Sequence, residues 1–490
     1  MPVENDPSTL YSPTMGYLYV FNLIVGTGAL ALPKAFQAAG YALSVVVLLI
    51  SCAVSYIAAT FVIESLSVGN AVNARKRKED ADNPREFDDV VISESGPSSF
   101  EISEKIEVSR MASMFLGRTG VIFSYLALNI YLFGDLAIYS TTVPKSLMNV
   151  LCAPINTSNV LPSDPCRDGL PLFFDRFTVY RLCVLLFLTI CTPLVIVGIT
   201  KTKYLQLATT VSRWSAFILM IFLASAQMAA NGAATIPPAA NIHGFGSLFG
   251  VAVYAFMCHH SLPSLITPMS SKSGVFTKLS FVYLLVLTFY FTLSLTGSFA
   301  FAHVQDVYTL NFLHDDLTSV FYFVCDHFLA LFPVFTLTTN YPIVGITLIN
   351  NVRVVRDMIT PERASSEEES LLEDEGEHDP RIRRNTRSDQ PYDALIPIVV
   401  LGLPTIISLL TDDVLLLATV TGCYPGVAVQ FLIPCLLVVS ARKHAKSALN
   451  FPVPKKYASP FQSNYWPIAI FVWAVFAIIM VTLNIIGVRF

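Results

Sequence analysis

The chain has 490 residues, of which 54% are hydrophobic and only 13% charged, and its mean hydropathy is +0.60. Soluble domains carry about 25% charged residues, so this composition excludes a large soluble enzyme, a nucleic-acid binder with a basic face and a mostly disordered chain. A net charge of -4 selects no partner, and the class is integral membrane protein.

Crossing a hydrocarbon core of about 30 Å takes roughly 20 apolar residues. Eleven stretches qualify: 14–36, 41–66, 119–148, 179–199, 205–227, 245–270, 279–302, 317–348, 391–410, 414–440 and 464–488. Lipid cannot satisfy open strand edges, and the period-2 pattern of a barrel is absent, so the spans are predicted helices and the fold all-α. Before them, the tail 1–13 carries no Lys or Arg, and no small-residue cleavage site follows the first apolar run, so no signal peptide is expected.

The first span reads Phe21-Asn22-Leu23-Ile24-Val25-Gly26-Thr27-Gly28-Ala29-Leu30. Two glycines flanking a threonine weaken a helix at mid-membrane, since each costs about 1 kcal/mol relative to Ala. Freed backbone is tolerable only against protein or a water-filled cavity, and the N–H groups near Ala29 and Leu30 are expected to suit a carboxylate. A Gly-x-Gly packing face is the alternative. Residues 67–118 open with Arg75, Lys76, Arg77 and Lys78, pass through an acidic, Ser-rich stretch and end in an amphipathic piece near Ile102 to Phe115. They read mainly as a disordered linker.

Asp135, in Phe133-Gly134-Asp135-Leu136, lies deep in the third span. Ionisable groups in a membrane are costly and usually face a cavity; this carboxylate is a candidate proton carrier, or else a structural acceptor. The loop 149–178 holds Cys152, Cys166 and the sequon Asn156-Thr157-Ser158, an expected disulfide and glycan if the loop meets an oxidising compartment. The other seven cysteines lie in apolar spans as small buried hydrophobes.

The sixth span has its own interruption, Phe256-Met257-Cys258-His259-His260-Ser261-Leu262-Pro263, with Pro268 beyond. Each proline removes a helical donor. His259 and His260 sit at this break, as titrating groups or as pocket wall. Two broken helices five spans apart, running in opposite directions, match an inverted repeat with substrate held between the breaks. The eighth span places Thr336, Thr338, Thr339 and Asn340 between Pro333 and Pro342. In residues 351–390, Glu367-Glu368-Glu369-Ser370-Leu371-Leu372 has acidic-dileucine spacing, so Glu367, Leu371 and Leu372 form a candidate sorting signal for adaptor proteins.

Lys and Arg orient the bundle, because short cytoplasmic loops retain them. With the N-terminus inside, 24 fall in inside segments and three, Arg167, Arg176 and Arg489, outside. The expected organisation is a cytoplasmic tail 1–13, a first repeat 14–228 with inside loop 67–118 and outside loop 149–178, a second repeat 245–440 with acidic inside loop 351–390, and an eleventh helix 464–488 ending outside or in a lumen.

Asn22 followed by Gly26-Thr27-Gly28 and an apolar run to Leu32-Pro33 resembles the first helix of the amino acid/auxin permease family, within the amino acid, polyamine and organocation superfamily. The strings FNLIVGTGAL, FGDLAIY, KTKYLQ and HSLPSLITP resemble more closely those of the transmembrane protein 104 family. The resemblance implies a five-plus-five inverted repeat with an eleventh helix, and substrate transport. It also implies that Gly26, Thr27 and Gly28 present backbone to the α-carboxylate of an amino acid, while carbonyls near Phe256 to Cys258, beside His259, receive its ammonium group. In sodium-coupled relatives an ion bridges the first and eighth helices, which implicates Asn22, Thr336 and Thr339; hydroxyl and carbonyl oxygens suit a small hard cation. A membrane threonine can instead bond back to its own helix.

No HExxH, GxxxxGK[ST], GxSxG or Cys-x-x-Cys occurs, so an enzyme is not expected, and neither is a cofactor beyond sodium or a proton as coupling ion. The expected function is secondary active transport of amino acids or a related small solute. The alternative is a non-transporting amino acid sensor signalling through the inside loops. Expected partners are the substrate, the bilayer and sorting adaptors, without nucleic acid. An endosomal or lysosomal membrane is the expected location, with the plasma membrane as alternative.

Overall fold

The structure is a computed structural model that describes residues 10–81, 97–152, 163–167, 175–197, 203–313, 319–359 and 395–486. Among these residues regular structure is helical, and extended backbone pairs only in isolated bridges, Tyr11 with Met269 and Pro165 with Asp175. The helices are α1 Pro13–Ile24, α2 Gly28–Ala39, α3 Tyr41–Ala81, α4 Val108–Phe115, α5 Gly117–Leu151, α6 Arg176–Val197, α7 Lys203–Asn231 and α8 Phe245–Ala255. They continue with α9 Leu262–Ile266, α10 Val275–Ala300, α11 Val320–Ile359, α12 Leu395–Leu410, α13 Val414–Thr421, α14 Ile433–Ala448 and α15 Tyr465–Ile486. Between α13 and α14 the chain widens into π-helical turns, Gly422–Gly426 and Ala428–Leu432.

Among the described residues, eight stretches are long and apolar enough to cross a membrane, and α1 with α2, bent by 50°, make a ninth as a pair. The chain is therefore a multi-pass helical membrane protein. The two other predicted spans fall on shorter apolar helices, Ile242–Ala255 and Leu395–Leu410. The first stops because the helix ends at the 256–261 interruption. Sixteen residues of α12 rise about 24 Å, and the residues just before it lie outside the described ones.

Two compact units partition the chain, and each draws on both halves of the sequence. One takes 129–222 and 309–417; the other takes 6–128, 223–308 and 418–490. In the first, buried polar side chains join α5, α6 and α12: Thr141 donates to Ser408 Oγ at 2.9 Å, and Tyr180 donates to the Ser408 carbonyl at 2.8 Å. Lys145 Nζ donates to the Asp412 carbonyl at 2.8 Å. A disulfide joins Cys152 to Cys166 over a cluster with Met148, Tyr180 and Val184.

The second unit holds both helix interruptions. Its buried charge is Glu64, 1% exposed, whose carboxylate accepts from Arg442 Nε and Nη2 at 2.8 Å each and from the Ser459 N–H at 2.9 Å. Both carboxylate oxygens are engaged, which is what a desolvated ion pair requires to hold its place. Arg442 also donates to the Phe461 and Gln462 carbonyls, pinning the chain that leads into α15.

The linker expected over 67–118 requires correction at both ends. Helix α3 runs on to Ala81, and 97–115 fold back onto it. Phe100, with Val68 and Ala71 of α3, Ala441 and Ala445 of α14, and Leu449 just beyond it, closes a second apolar core. Asn70 fixes the returning stretch of chain: its Oδ1 accepts from the Ser103 and Glu104 N–H groups at 3.0 and 2.7 Å. Composition alone makes this segment look solvated because its apolar residues are sparse, but Phe100, Ile102, Ile106 and Met111 are all buried.

Candidate functional site

Helix α1 ends where Val25 adopts φ −78, ψ 82, the centre of an inverse γ-turn, with the Gly26 N–H donating to the Ile24 carbonyl at 2.9 Å. Helix α2 resumes at Gly28. The first correction concerns donors: Ala29 and Leu30 do not offer free N–H groups, because they donate to the Gly26 and Thr27 carbonyls at 3.2 and 3.0 Å. One tight turn reuses the backbone it freed.

The two glycines of this break have different roles. A Cβ on Gly26 meets nothing nearer than the Leu23 carbonyl oxygen at 4.0 Å, so this position borders open space. A Cβ on Gly28 stands 2.6 Å from Ala255 Cα and 2.9 Å from Ala255 N, which makes Gly28 the contact where α2 lies on the backbone of α8. Between them, Thr27 Oγ1 is 2.9 Å from Tyr254 Oη, so its side chain is joined to the end of α8.

The second break covers 256–261, between α8 and α9. The Cys258 carbonyl accepts from the Ser261 and Leu262 N–H groups at 3.0 and 3.1 Å, and its thiol lies 3.2 Å from Tyr283 Oη. Cys258 therefore offers no open acceptor, unlike the Phe256 and Met257 carbonyls, which have no donor among the described residues. His259 is 1% exposed, with Nε2 2.9 Å from the Ser55 carbonyl of α3. A carbonyl only accepts, so Nε2 carries the hydrogen and Nδ1 is a buried acceptor without a partner among the described residues. Ser55 Oγ is also bonded by the Gln430 amide from the π-helical turn.

Three tyrosines that no motif in the sequence marks hold these breaks. Tyr254 meets Thr27, Tyr283 meets Cys258, and Tyr290 Oη is 2.9 Å from both the Ile24 and the Ala255 carbonyls. Phe256 lies between the last two, stacked on Tyr283 at 6.2 Å and edge-on to Tyr290 at 5.3 Å. Tyr283 and Tyr290 are seven residues apart, two turns of α10 on one face; that spacing is visible in sequence, but not what it touches.

Asn22 is buried on α1, 7% exposed, in the second unit, whereas Asp135, Thr336 and Thr339 belong to the first. Thr336 donates to the Phe332 carbonyl at 2.8 Å and Thr339 to the Thr336 carbonyl at 2.9 Å; both bond back to their own helix and keep hydroxyl lone pairs. Asp135 is buried, and the Tyr139 hydroxyl one turn on lies in the fields of both Asp135 and Arg213. Asn156, Glu367, Leu371 and Leu372 lie outside the described residues.

A family model described as "Transmembrane amino acid transporter protein" matches residues 11–485. The chain is 60% identical over 494 residues to a transmembrane protein 104 homolog of Caenorhabditis elegans, with 99% of each chain covered. It is 37% identical over 513 residues to transmembrane protein 104 of Homo sapiens, with 98% of each covered. Among solved structures, the crystal structure of MhsT in complex with L-phenylalanine is similar with a TM-score of 0.49 at 14% identity, covering 97% of this chain and 99% of that one.

Proposed function

The chain belongs to the transmembrane amino acid transporter family, and from that premise we propose that it is a secondary active carrier holding an amino acid at the two helix breaks of its second unit. The observation that carries this reading is the pairing of open space at Gly26 with unclaimed carbonyls at Phe256 and Met257. An amino acid offers a carboxylate and an ammonium group, and a break in a membrane helix supplies both complements from backbone alone. Gly26 gives the carboxylate room, the Phe256 and Met257 carbonyls take the ammonium, and His259 closes the wall.

The remaining features follow the same reading. Eleven spans form a five-plus-five inverted repeat with one further helix, the N-terminus is cytoplasmic, and a sodium ion or proton supplies the gradient. Candidate sodium ligands are the Thr336 and Thr339 hydroxyl oxygens within the first unit and, separately, Asn22 within the second; Asp135 is the candidate proton site. Asn156 carries a glycan, and Glu367 with Leu371 and Leu372 directs the protein through adaptors to an endosomal or lysosomal membrane.

Purified protein in liposomes tests the core of this reading with a panel of labelled amino acids under imposed sodium or proton gradients. Accumulation that depends on one gradient is expected. Saturable binding without flux would replace the carrier by a sensor, and neither binding nor flux across the panel would remove the amino acid site.

A further inference from the structure

Where a helix breaks, its last carbonyls lose their partners and the negative end of its dipole is left facing whatever lies beyond. The second unit contains such ends at Ile24 of α1 and Ala255 of α8, and both are buried. Their carbonyls converge on one group, the Tyr290 hydroxyl, at 2.9 Å each. The environment of the two is unequal. Ile24 also receives the Gly26 N–H of the γ-turn, whereas Tyr290 is the donor that reaches Ala255. The hydroxyl has one hydrogen to give, so it is shared between the two carbonyls or passes from one to the other.

Ala255 is tied to the first break a second time, since its Cα and N are the atoms against which Gly28 packs. Residues on both sides of the first break thus meet the end of α8, one through a hydroxyl bridge and one through backbone contact. Phe256 edge-on to the Tyr290 ring keeps that ring in place, and Tyr290 itself is 0% exposed.

From this geometry we infer that Tyr290 is a positioning residue coupling the two breaks: its single hydroxyl hydrogen holds the ends of α1 and α8 together, so that the backbone of neither break shifts alone. The consequence for transport rests on the amino acid site proposed above. An ammonium group arriving at the Phe256 and Met257 carbonyls lies one residue from Ala255 and competes there with Tyr290. If the ammonium takes the Ala255 carbonyl, the hydroxyl turns wholly to Ile24, and occupancy at the second break is felt at the first.

Tyr290→Phe keeps the ring and removes the bridge. Hydrogen exchange in purified protein, followed in peptides spanning 21–30 and 252–262, is expected to accelerate in both together by up to about tenfold, the ratio that one hydrogen bond of ordinary net worth sustains. Tyr283→Phe, two turns away, removes the hydroxyl contact to the Cys258 thiol and keeps the ring, and is expected to accelerate the second peptide alone. Acceleration in one peptide or in neither for Tyr290→Phe overturns the coupling, whether or not the protein carries amino acids. If Tyr290→Phe does not accumulate, a ring-fluorinated tyrosine placed at 290, a stronger donor of similar shape, is expected to slow exchange in both peptides, and a change confined to one overturns the inference equally. In liposomes, Tyr290→Phe is expected to lower KM by up to about tenfold, because the Ala255 carbonyl no longer has a competing donor, and to lower kcat with it, because occupancy at the second break no longer reaches the first; unchanged KM and kcat would show that the tie does not serve transport. Absence of flux in the unaltered protein would sink the transport reading and leave the exchange result standing.

Discussion

The two helix interruptions of the second unit are built by opposite means. The first is short and made of backbone: a γ-turn at Val25, glycines at 26 and 28, and a 50° bend. The second is six residues long and held from outside, by Ser55 of α3 on His259, by Tyr283 on Cys258 and by Tyr290 on Ala255. A break made by glycine announces itself in sequence, while one made by neighbours depends on side chains contributed by other helices. The second should therefore tolerate changes within its own six residues less predictably than the first tolerates changes at Gly26.

Substitution of Gly28 is expected to give the largest effect. Gly28→Val drives carbon into the Ala255 backbone, where neither helix can yield cheaply, at a cost of about 3 kcal/mol or more. Abundance after solubilisation should collapse; normal abundance would mean that the α2 and α8 contact is not tight and that Gly28 lines the open space with Gly26. Next is His259→Ala, expected to lower stability by about 2–3 kcal/mol, since it opens a cavity and removes the imidazole donor from the Ser55 carbonyl. His259→Gln, which can still donate, should recover part of that loss in a thermal melt; equal melting temperatures for the two variants would show that the Ser55 bond contributes nothing.

Smaller effects separate the breaks more sharply. Tyr283→Phe removes one contact to a thiol, a weak partner, and should cost about 1 kcal/mol or less. A melting temperature lowered as far as by His259→Ala would place the anchor of the second break at Cys258. The smallest change in stability belongs to Gly26→Ala, below about 0.5 kcal/mol, because Gly26 is not among the glycines at positive φ and a methyl there meets open space. Uptake by the same variant should nonetheless fall about tenfold or more, the discrimination that one methylene gives in a fitted pocket. Full uptake would move the substrate away from the first break.

Several of these positions are legible in the order of residues alone. Gly26, Gly28 and the Cys258 to Pro263 run mark where helices stop, because glycine and proline act through the backbone they occupy. The roles of the two glycines are not legible, since both have the same local chemistry and differ only in what lies across from them: open space for Gly26, Ala255 for Gly28. The free donors expected at Ala29 and Leu30 are lost for a local reason, a turn tight enough to use the Gly26 and Thr27 carbonyls at once. The segment after 96 departs from the expected linker because its few apolar residues find a surface supplied by α3 and α14, helices that no window over 97–115 contains.

Whatever depends on neighbours along the chain can thus be read from residue order: a membrane protein of many apolar helices, two of them interrupted, and a family whose motifs span its length. Which freed backbone groups stay free is instead a matter of packing. A carbonyl is open or closed according to whether a donor from elsewhere reaches it, and Tyr290 reaches Ala255 across 35 residues and Ile24 across 266. Hydrogen bonds act over about 3 Å in space, at any separation along the chain, so the chemistry of a broken helix belongs to its neighbours as much as to its own residues.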